Sequence, residues 1–552
     1  MRACLFPLVL SSVLLATAAA SEPAPAPLSP VWRGCVGEGH PTPKQQIASC
    51  SAITRSKTEL SSRRAVAFFN RGVVRQQSHD IEGAFADYDQ AARLQPDFPH
   101  AVIARAGATY AKGDYRAAQF EYDEAVQAWP RAADGYLGRA AARAALGDAK
   151  GSFADHARAV DLAPTSPQAH YGLGLDFVRT GEPTRALAAF NRALALQPDF
   201  ANAHVARAVV YLNQGATEQA MTEYDAAIRL EPDNARALAG RAAAWRAKGD
   251  FGRAAADSKA AAQAAPDDAA ALFDAAYAQG AQGDLDGAVQ LYTEAIRRAP
   301  GDAAALNNRG DAYEAKGDDR AAIADFDQAL NARPGYLLAL RNRGLAHGRR
   351  GDLEAANADF TQVLEVAPDD LDARLARGRM FLLQGRFDQA LADYDQVIAR
   401  DPTSLAATLG RAIGHQAQGK SELALADAEQ AVRLHPDSAA AYNSRCWTLA
   451  LSGTNLAQAI ADCDRAVALD PKAPEAYDSR AFTRLRQGEA RLALIDYQQV
   501  LALQPQTASA LYGRGLARSH LGDVAAGKAD MDAALSADPQ VAANYARYGV
   551  TP

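Results

Sequence analysis

The sequence predicts an all-α fold, an array of about 14 helical hairpins that fills most of the 552-residue chain. Prolines recur every 34 residues, which marks a repeat of that length. Within each repeat, apolar residues return at three- and four-residue spacing on both sides of a central glycine. This pattern is typical of two amphipathic helices joined by a glycine turn.

The prolines set the frame of the array. They stand at 96, 130, 164, 198, 232, 266, 300, 334, 368, 402 and 436 and, after one extra residue, at 471, 505 and 539. With each proline at position 32 of its unit, the first unit runs from Ala65 to Phe98. Position 8 is always small, and position 15 is glycine in every unit but the first, which has His79. Small residues let the two helices approach closely, and the proline prevents the second helix from continuing.

Together these positions resemble the tetratricopeptide repeat family, whose small residues, turn glycine, aromatic residue near position 24 and final proline appear here in register. The resemblance covers about residues 65–541. It implies a right-handed superhelical solenoid in which the first helix of each hairpin lines a concave groove. It also implies that partners bind in this groove, through positions 2, 5, 6, 9, 12 and 13 of each unit.

Charged residues recur at two fixed positions of the repeat, and this pattern predicts ion pairs between the two helices of a hairpin. Position 7 is arginine and position 23 is acidic in twelve units, and the exceptions coincide, as Leu173 with Ala189 and Ala275 with Leu291. A planar guanidinium suits bidentate contact with a carboxylate. The expected pairs are Arg71 with Asp87, Arg105 with Glu121, Arg139 with Asp155, Arg207 with Glu223, Arg241 with Asp257, Arg309 with Asp325, Arg343 with Asp359, Arg377 with Asp393, Arg411 with Asp427, Arg445 with Asp462, Arg480 with Asp496, and Arg514 with Asp530.

The two ends of the chain lie outside the repeat. Residues 1–20 are predicted to be a secretory signal peptide, with a cation at Arg2, an apolar run over 5–16 and small residues at the cleavage site; a membrane anchor is the alternative. Residues 21–64 are predicted to hold a Pro-rich linker without regular packing up to residue 43, followed by an N-terminal capping helix over 44–57. Residues 542–552 are predicted to be a short C-terminal cap that begins another first helix and stops.

Four cysteines remain after the predicted signal: Cys35, Cys50, Cys446 and Cys463. Of the three possible connectivities, separation in sequence favours the local one, Cys35 with Cys50 and Cys446 with Cys463. Disulfides persist in oxidising compartments, so the cysteines and the signal together predict an exported bacterial protein, periplasmic or secreted. The alternative is four free thiols in an alanine-rich core.

The remaining chemistry of the sequence is sparse. A net charge of −7 without basic blocks argues against nucleic acid as the main partner, and no segment after the signal is apolar enough to span a membrane. His170 and His204 occupy equivalent places in adjacent units, but no metal-binding or catalytic motif surrounds them. We therefore expect no metal, no cofactor and no enzymatic activity.

One stretch of the expected groove is more polar than the rest and is the predicted partner-binding site. Its residues are Asn307, Asn308, Asp311, Glu314, Arg341, Asn342 and Arg349. The bland alternative is a solvated groove wall. Elsewhere the groove positions are mixed and often apolar, as at Tyr171, Val205, Phe273, Trp447, Phe482 and Leu516.

The sequence thus predicts a non-catalytic scaffold of the cell envelope that binds protein or peptide partners in the groove. The alternative is a polysaccharide-binding scaffold of an envelope exopolysaccharide assembly or export system. The apolar groove positions favour a peptide, because apolar side chains anchor extended or helical segments.

Overall fold

The computed structural model describes residues 29–552, and the regular secondary structure of that range is helical. Its helices are α1 Pro30–Cys35, α2 Pro43–Arg55, α3 Ser61–Gln77, α4 Ile81–Leu94, α5 Pro99–Ala111, α6 Tyr115–Ala128, α7 Ala133–Ala145, α8 Ala149–Leu162, α9 Pro167–Arg179, α10 Pro183–Leu196, α11 Ala201–Asn213, α12 Thr217–Leu230, α13 Ala235–Ala247, α14 Phe251–Ala264, α15 Ala269–Ala281, α16 Leu285–Arg298, α17 Ala303–Ala315, α18 Asp319–Ala332, α19 Leu337–Arg350, α20 Leu353–Val366, α21 Leu371–Leu383, α22 Phe387–Arg400, α23 Leu405–Ala417, α24 Ser421–Leu434, α25 Ala439–Ser452, α26 Leu456–Leu469, α27 Pro474–Arg486, α28 Ala490–Leu503, α29 Ala508–His520, α30 Val524–Ala537 and α31 Val541–Arg547.

From α3 to α30 the odd-numbered helices are the first helices of the hairpins and the even-numbered helices are the second. The predicted all-α fold of repeated helical hairpins is confirmed. The chain forms two compact units, one ending at Ala278 and the other beginning at Gln279.

Each hairpin turns at position 15 because the residue there adopts a left-handed backbone. In the second hairpin Gly113 has φ +87°, and the side chain of Asp114 then caps α6 by accepting a hydrogen bond from the backbone N–H of Ala117 at 3.0 Å. Glycine adopts this conformation without the steric cost of a Cβ atom. The first hairpin makes the same turn with His79 at φ +63°.

The small residue at position 8 sets the distance between the two helices of a hairpin. A Cβ atom added to Gly310 would lie 2.5 Å from Cε1 of Phe326, the aromatic residue at position 24 of the same unit. Phe326 is fully buried. In the twelfth hairpin the corresponding residues are Cys446 and Cys463, which form a disulfide with a Cα–Cα distance of 5.5 Å.

Bidentate ion pairs join the two helices of most hairpins. In the ninth hairpin Arg343 donates from Nε to Oδ2 of Asp359 at 2.9 Å and from Nη2 to Oδ1 at 2.6 Å. Asp359 is buried, and its hydrogen bond raises the pKa of Arg343, so the guanidinium stays charged. All twelve arginines of position 7 lie within ion-pair distance of the acidic residue at position 23 of their own unit.

The same arginines also reach the preceding hairpin, a contact that the sequence analysis missed. Nη1 of Arg343 donates to Oδ1 of Asp327, at position 25 of the previous second helix, over 2.5 Å. Within residues 29–552, ten of the twelve arginines make this second contact: Arg71 with Ser51, Arg105 with Asp89, Arg139 with Asp123, Arg207 with Asn191, Arg241 with Asp225, Arg309 with Thr293, Arg343 with Asp327, Arg377 with Thr361, Arg411 with Asp395, and Arg480 with Asp464. Each of these guanidinium groups therefore links one hairpin to the next.

The fourth hairpin has an apolar version of the same contact. Ala189, at position 23, is buried in a cluster against which Leu173, at position 7, packs. The protein thus contains its own example of a hairpin in which both members of the ion pair are replaced.

The N-terminal helices α1 and α2 form a shortened hairpin that precedes the first unit. A disulfide joins Cys35 in α1 to Cys50 in α2, with a Cα–Cα distance of 4.6 Å. Ser51 accepts a hydrogen bond from Nη1 of Arg71 at 2.9 Å, as the position-25 residues do elsewhere. The expectation of no regular packing up to residue 43 is wrong for α1, because Ser29 caps the helix and Pro30 begins it with a fixed φ.

The predicted signal peptide, residues 1–20, lies outside the described residues, as does the linker up to residue 28. Among the helices of residues 29–552, none combines the length and the apolar character needed to cross a bilayer.

Removing one member of the ninth ion pair is expected to cost more than removing both. Arg343→Leu leaves the buried Asp359 carboxylate without its guanidinium, so we expect the free energy of unfolding to fall by about 3 kcal/mol. Arg343→Leu combined with Asp359→Ala copies the fourth hairpin and should recover most of that loss. Urea unfolding of the two single variants and the double variant completes the cycle. A double variant as unstable as Arg343→Leu would contradict the pairing.

Candidate functional site

The predicted polar site lies on two neighbouring first helices, α17 and α19. We call the exposed side of the first helices α17, α19, α21, α23, α25, α27 and α29 the first-helix face. All of these helices belong to the second compact unit. The seven predicted residues are thus on adjacent first helices of one unit.

Three of the predicted residues are bonded to one another rather than open to a partner. Nδ2 of Asn342 lies 2.6 Å from Oδ1 of Asp311 and 3.3 Å from Oδ1 of Asn307. Nδ2 of Asn307 donates to the other carboxylate oxygen of Asp311 at 3.1 Å. Asn307 is fully buried, so it is not a surface contact. This network ties α17 to α19.

The charged members of the site are also paired within the protein. Arg349 contacts Glu314 at 3.0 Å and Asp319 at 2.7 Å. Arg341 reaches Asp370 at 3.4 Å. One ion pair, Arg349 with Glu314, thus joins the acidic and basic patches of the sequence prediction, and Arg341 is paired with a carboxylate outside the site.

Asn308 is also engaged, since its Nδ2 lies 3.4 Å from the hydroxyl of Tyr292. All seven predicted residues thus make polar contacts inside the protein. Most of these contacts join the eighth hairpin to the ninth.

Burial changes the acidity of Asp311. Removal from water raises its pKa to about 6, the nearby carboxylate of Glu314 adds to the rise, and the hydrogen bonds from Asn342 and Asn307 oppose it. The carboxyl group therefore takes up a proton at a pH at which an exposed aspartate is fully ionised.

Apolar side chains are among the exposed residues of the first-helix face, beside charged ones such as Arg379. Leu345 on α19 is 43% exposed and Ile413 on α23 is 58% exposed, and both occupy position 9. Leu338 and Leu383 are exposed on α19 and α21. None of these four residues was predicted from the sequence.

Most of the apolar groove residues that the sequence analysis named are instead buried in the hairpins. The buried ones are Tyr171, Val205, Phe482 and Leu516. Residue type and repeat position do not predict whether a groove side chain is exposed or buried, because its burial depends on the neighbouring hairpin.

A model of the tetratricopeptide repeat matches residues 171–230, 217–269, 273–336, 341–404, 409–474 and 481–542, well over half of the chain. The chain belongs to the tetratricopeptide repeat family. A comparison with curated proteins finds no match.

Solved structures, among them tetratricopeptide repeat proteins, are similar to parts of this chain. One from Parabacteroides merdae ATCC 43184 is 22% identical with a TM-score of 0.40, over 47% of this chain and 98% of that one. YrrB, described as having an unusual peptide-binding site, is 22% identical with a TM-score of 0.30, over 34% of this chain and 95% of YrrB. Yeast Tom70 is 16% identical with a TM-score of 0.36, over 88% of this chain and 99% of Tom70.

One joint of the tetratricopeptide repeat array contains the residue types of a hydrolase triad. Ser152 Oγ donates to Oδ1 of Asp176 at 2.9 Å, and Nδ1 of His156 lies 2.5 Å from Oδ2 of the same carboxylate. All three residues are buried. Because serine and histidine both bond the aspartate, the imidazole does not activate the hydroxyl, and the cluster lacks the geometry of a triad.

The histidines at equivalent positions of adjacent repeats are engaged in helix packing. Nε2 of His170 lies 3.0 Å from the carbonyl oxygen of Pro164, and Nε2 of His204 lies 3.1 Å from that of Pro198. A nitrogen that donates to a carbonyl cannot also bind a metal. Within residues 29–552 no group of three or more His, Cys, Asp or Glu side chains is arranged to hold a metal ion.

The raised pKa of Asp311 predicts a pH-dependent effect of Asp311→Asn. Asp311 binds a proton more tightly in the folded protein than in the unfolded chain, so its contribution to wild-type stability falls as the pH rises from about 4 to about 6. The amide of the variant does not titrate, so its free energy of unfolding, relative to wild type, should rise by about 2 kcal/mol over that window. Urea unfolding at both pH values measures it.

The exposed Asp372 provides the matched control, because its side chain is 86% accessible. Asp372→Asn should leave the pH dependence of unfolding unchanged. An effect of Asp311→Asn that is the same at both pH values would contradict the assignment.

Proposed function

We propose that this protein is an exported, non-catalytic scaffold of the cell envelope that binds protein or peptide partners on the first-helix face. Tetratricopeptide repeats supply a long face of parallel first helices, and the chain devotes most of its length to them. The described residues present no triad geometry or metal cluster that would favour an enzyme.

The observation that carries the proposal is that the predicted polar residues of the first-helix face are paired within the protein, whereas apolar side chains on the same face are exposed. Asp311, Asn342 and Arg349 are bonded internally. Leu345 and Ile413, in contrast, are exposed at the same position of different repeats. Exposed apolar side chains at repeated spacing suit the side chains of an extended or helical peptide, which gain free energy by leaving water.

The same contrast argues against the polysaccharide alternative. A glycan is held by polar side chains that are free to bond its hydroxyl groups. On α17 and α19 the predicted polar residues already have partners within the protein. Peptide is therefore the better supported partner class.

Export is supported by the bonded cysteines and by the signal-like N-terminus. Both local cysteine pairs are joined, and all four residues are fully buried. Disulfides of this kind suit an oxidising compartment such as the bacterial periplasm.

Replacing the exposed apolar residues with charges is expected to abolish peptide binding. Peptides selected from a random display library on the wild-type protein should bind the Leu345→Asp/Ile413→Asp variant at least about tenfold more weakly, because each buried apolar side chain contributes more than about 1 kcal/mol. Fluorescence anisotropy with the selected peptides measures the affinity.

The control is Leu423→Asp, on the second helix α24, where the exposure of 50% lies between those of Leu345 and Ile413. This variant should bind the peptides as wild type does. Equal losses in both variants, or a library that yields no binder while a glycan array does, would overturn the proposal.

A further inference from the structure

The C-terminal helix α31 leaves the register of the repeat. The sequence predicted another first helix here, which would stack on the preceding hairpin. Instead, the ring of Tyr545 lies 5.4 Å from that of Phe482 in α27 and 5.1 Å from that of Tyr512 in α29, measured between centroids. Phe482 and Tyr512 occupy positions 9 and 5 of their units, the groove positions of the family. Helix α31 therefore lies across the first helices of the last two hairpins.

A pocket receives both the ring and the hydroxyl of Tyr545. The hydroxyl donates to the carbonyl oxygen of Ser509 at 2.9 Å and lies 3.0 Å from the hydroxyl of Tyr497. Tyr545 is buried there, and burial raises its pKa well above the ordinary tyrosine value. We call Phe482, Tyr497, Ser509 and Tyr512 the tyrosine pocket. It selects an aromatic ring by packing and a phenol by hydrogen bonding.

The carboxylate of Asp478 borders this pocket and is only half satisfied. Its Oδ2 accepts a hydrogen bond from Oγ of Ser509 at 3.2 Å, whereas its buried Oδ1 has no partner among residues 29–552. Burial raises the pKa of Asp478 to about 6. Helix α31 thus fills the pocket without providing a donor to Oδ1, and a buried acceptor without a donor is unfavourable.

Helix α31 is short and is held mainly by its apolar side. It has seven residues, and three side chains of the segment 541–550 are buried: Val541, Tyr545 and Val550. A helix this short is not stable by itself in water, so its structure depends on the pocket. A ligand that fills the pocket better would release it.

We propose that the tyrosine pocket binds a partner's peptide segment that presents a tyrosine beside a hydrogen-bond donor, and that residues 541–550 are an intramolecular occupant which this partner displaces. The proposal rests on the proposed function, because it takes the first-helix face as the binding surface. Trp447, whose ring lies 5.1 Å from that of Phe482, extends the pocket towards α23. Displacement of α31 thus adds the pocket to the surface that carries Ile413.

The probe is a fluorescent synthetic peptide of residues 540–552, titrated against full-length protein by anisotropy. Tyr545→Ala should release α31 and increase the affinity for this peptide at least tenfold over wild type. Asn544→Ala changes an exposed residue of α31 and should bind as wild type does. The same peptide with alanine at the position of Tyr545 should not bind any of these proteins.

Hydrogen exchange on the wild-type protein tests the same competition without any substitution. Excess peptide should accelerate exchange of the α31 amides while α27 and α29 stay protected. Lack of peptide binding to a folded Tyr545→Ala protein, together with unchanged exchange in wild type, would overturn the proposal. A wild-type dimer in sedimentation that Tyr545→Ala makes monomeric would also overturn it, because the occupant would then be a second copy.

Failure of this proposal is distinguishable from failure of the proposed function. The scaffold function would remain supported if library peptides bind through Leu345 and Ile413 while the tyrosine pocket does not bind the peptide of residues 540–552. In contrast, selection on the Tyr545→Ala protein should enrich peptides that contain tyrosine. Absence of that enrichment would count against the pocket alone.

Discussion

A guanidinium that contacts two hairpins at once is the interaction on which this array depends. The Nε and Nη2 edge of each position-7 arginine faces the carboxylate of its own second helix, and in most units Nη1 faces the second helix before it. Three helices are thereby fixed around one planar group. Where position 23 is aspartate its carboxylate is buried, and it is stable as an ion only while the arginine is present. A lysine, a point charge on a flexible stem, does not provide this geometry.

This constraint decides which surface is left for partners. The ion pairs and the close approach of positions 8 and 24 occupy the interior of each hairpin. The polar residues on α17 and α19 are used to join neighbouring repeats. The first-helix face also has exposed apolar side chains and, at the C-terminal end, a pocket that already holds a tyrosine of the same chain.

Much of the fold could be predicted from the sequence, because the residues that each hairpin requires recur at the same positions of many units. The period of 34 residues, the glycine turn and the coincidence of exceptions at positions 7 and 23 are all visible without a structure. The backward contact was missed because position 25 varies among Asp, Asn and Thr, which share only a side-chain oxygen. Helix α1 was missed because a proline suggested a linker, although Pro30 begins the helix.

The candidate site was harder to predict, because the partners of a groove residue come from another hairpin. The sequence places Asn307 and Asp311 on the right face but does not show that Asn342, 31 residues after Asp311, bonds both. Nor does it show that Phe482 is buried, since Tyr545 covers it from outside the repeat.

The most direct test of the central interaction is native-state hydrogen exchange on Arg343→Lys. This variant keeps the positive charge and removes the planar guanidinium with its several N–H donors. If one guanidinium joins two hairpins, the opening free energies of both α18 and α20 should fall, since Asp327 and Asp359 lie on those helices. Helices far along the chain, such as α26, should keep their protection. Unchanged protection of α18 and α20 would contradict the account, because charge alone would then be sufficient.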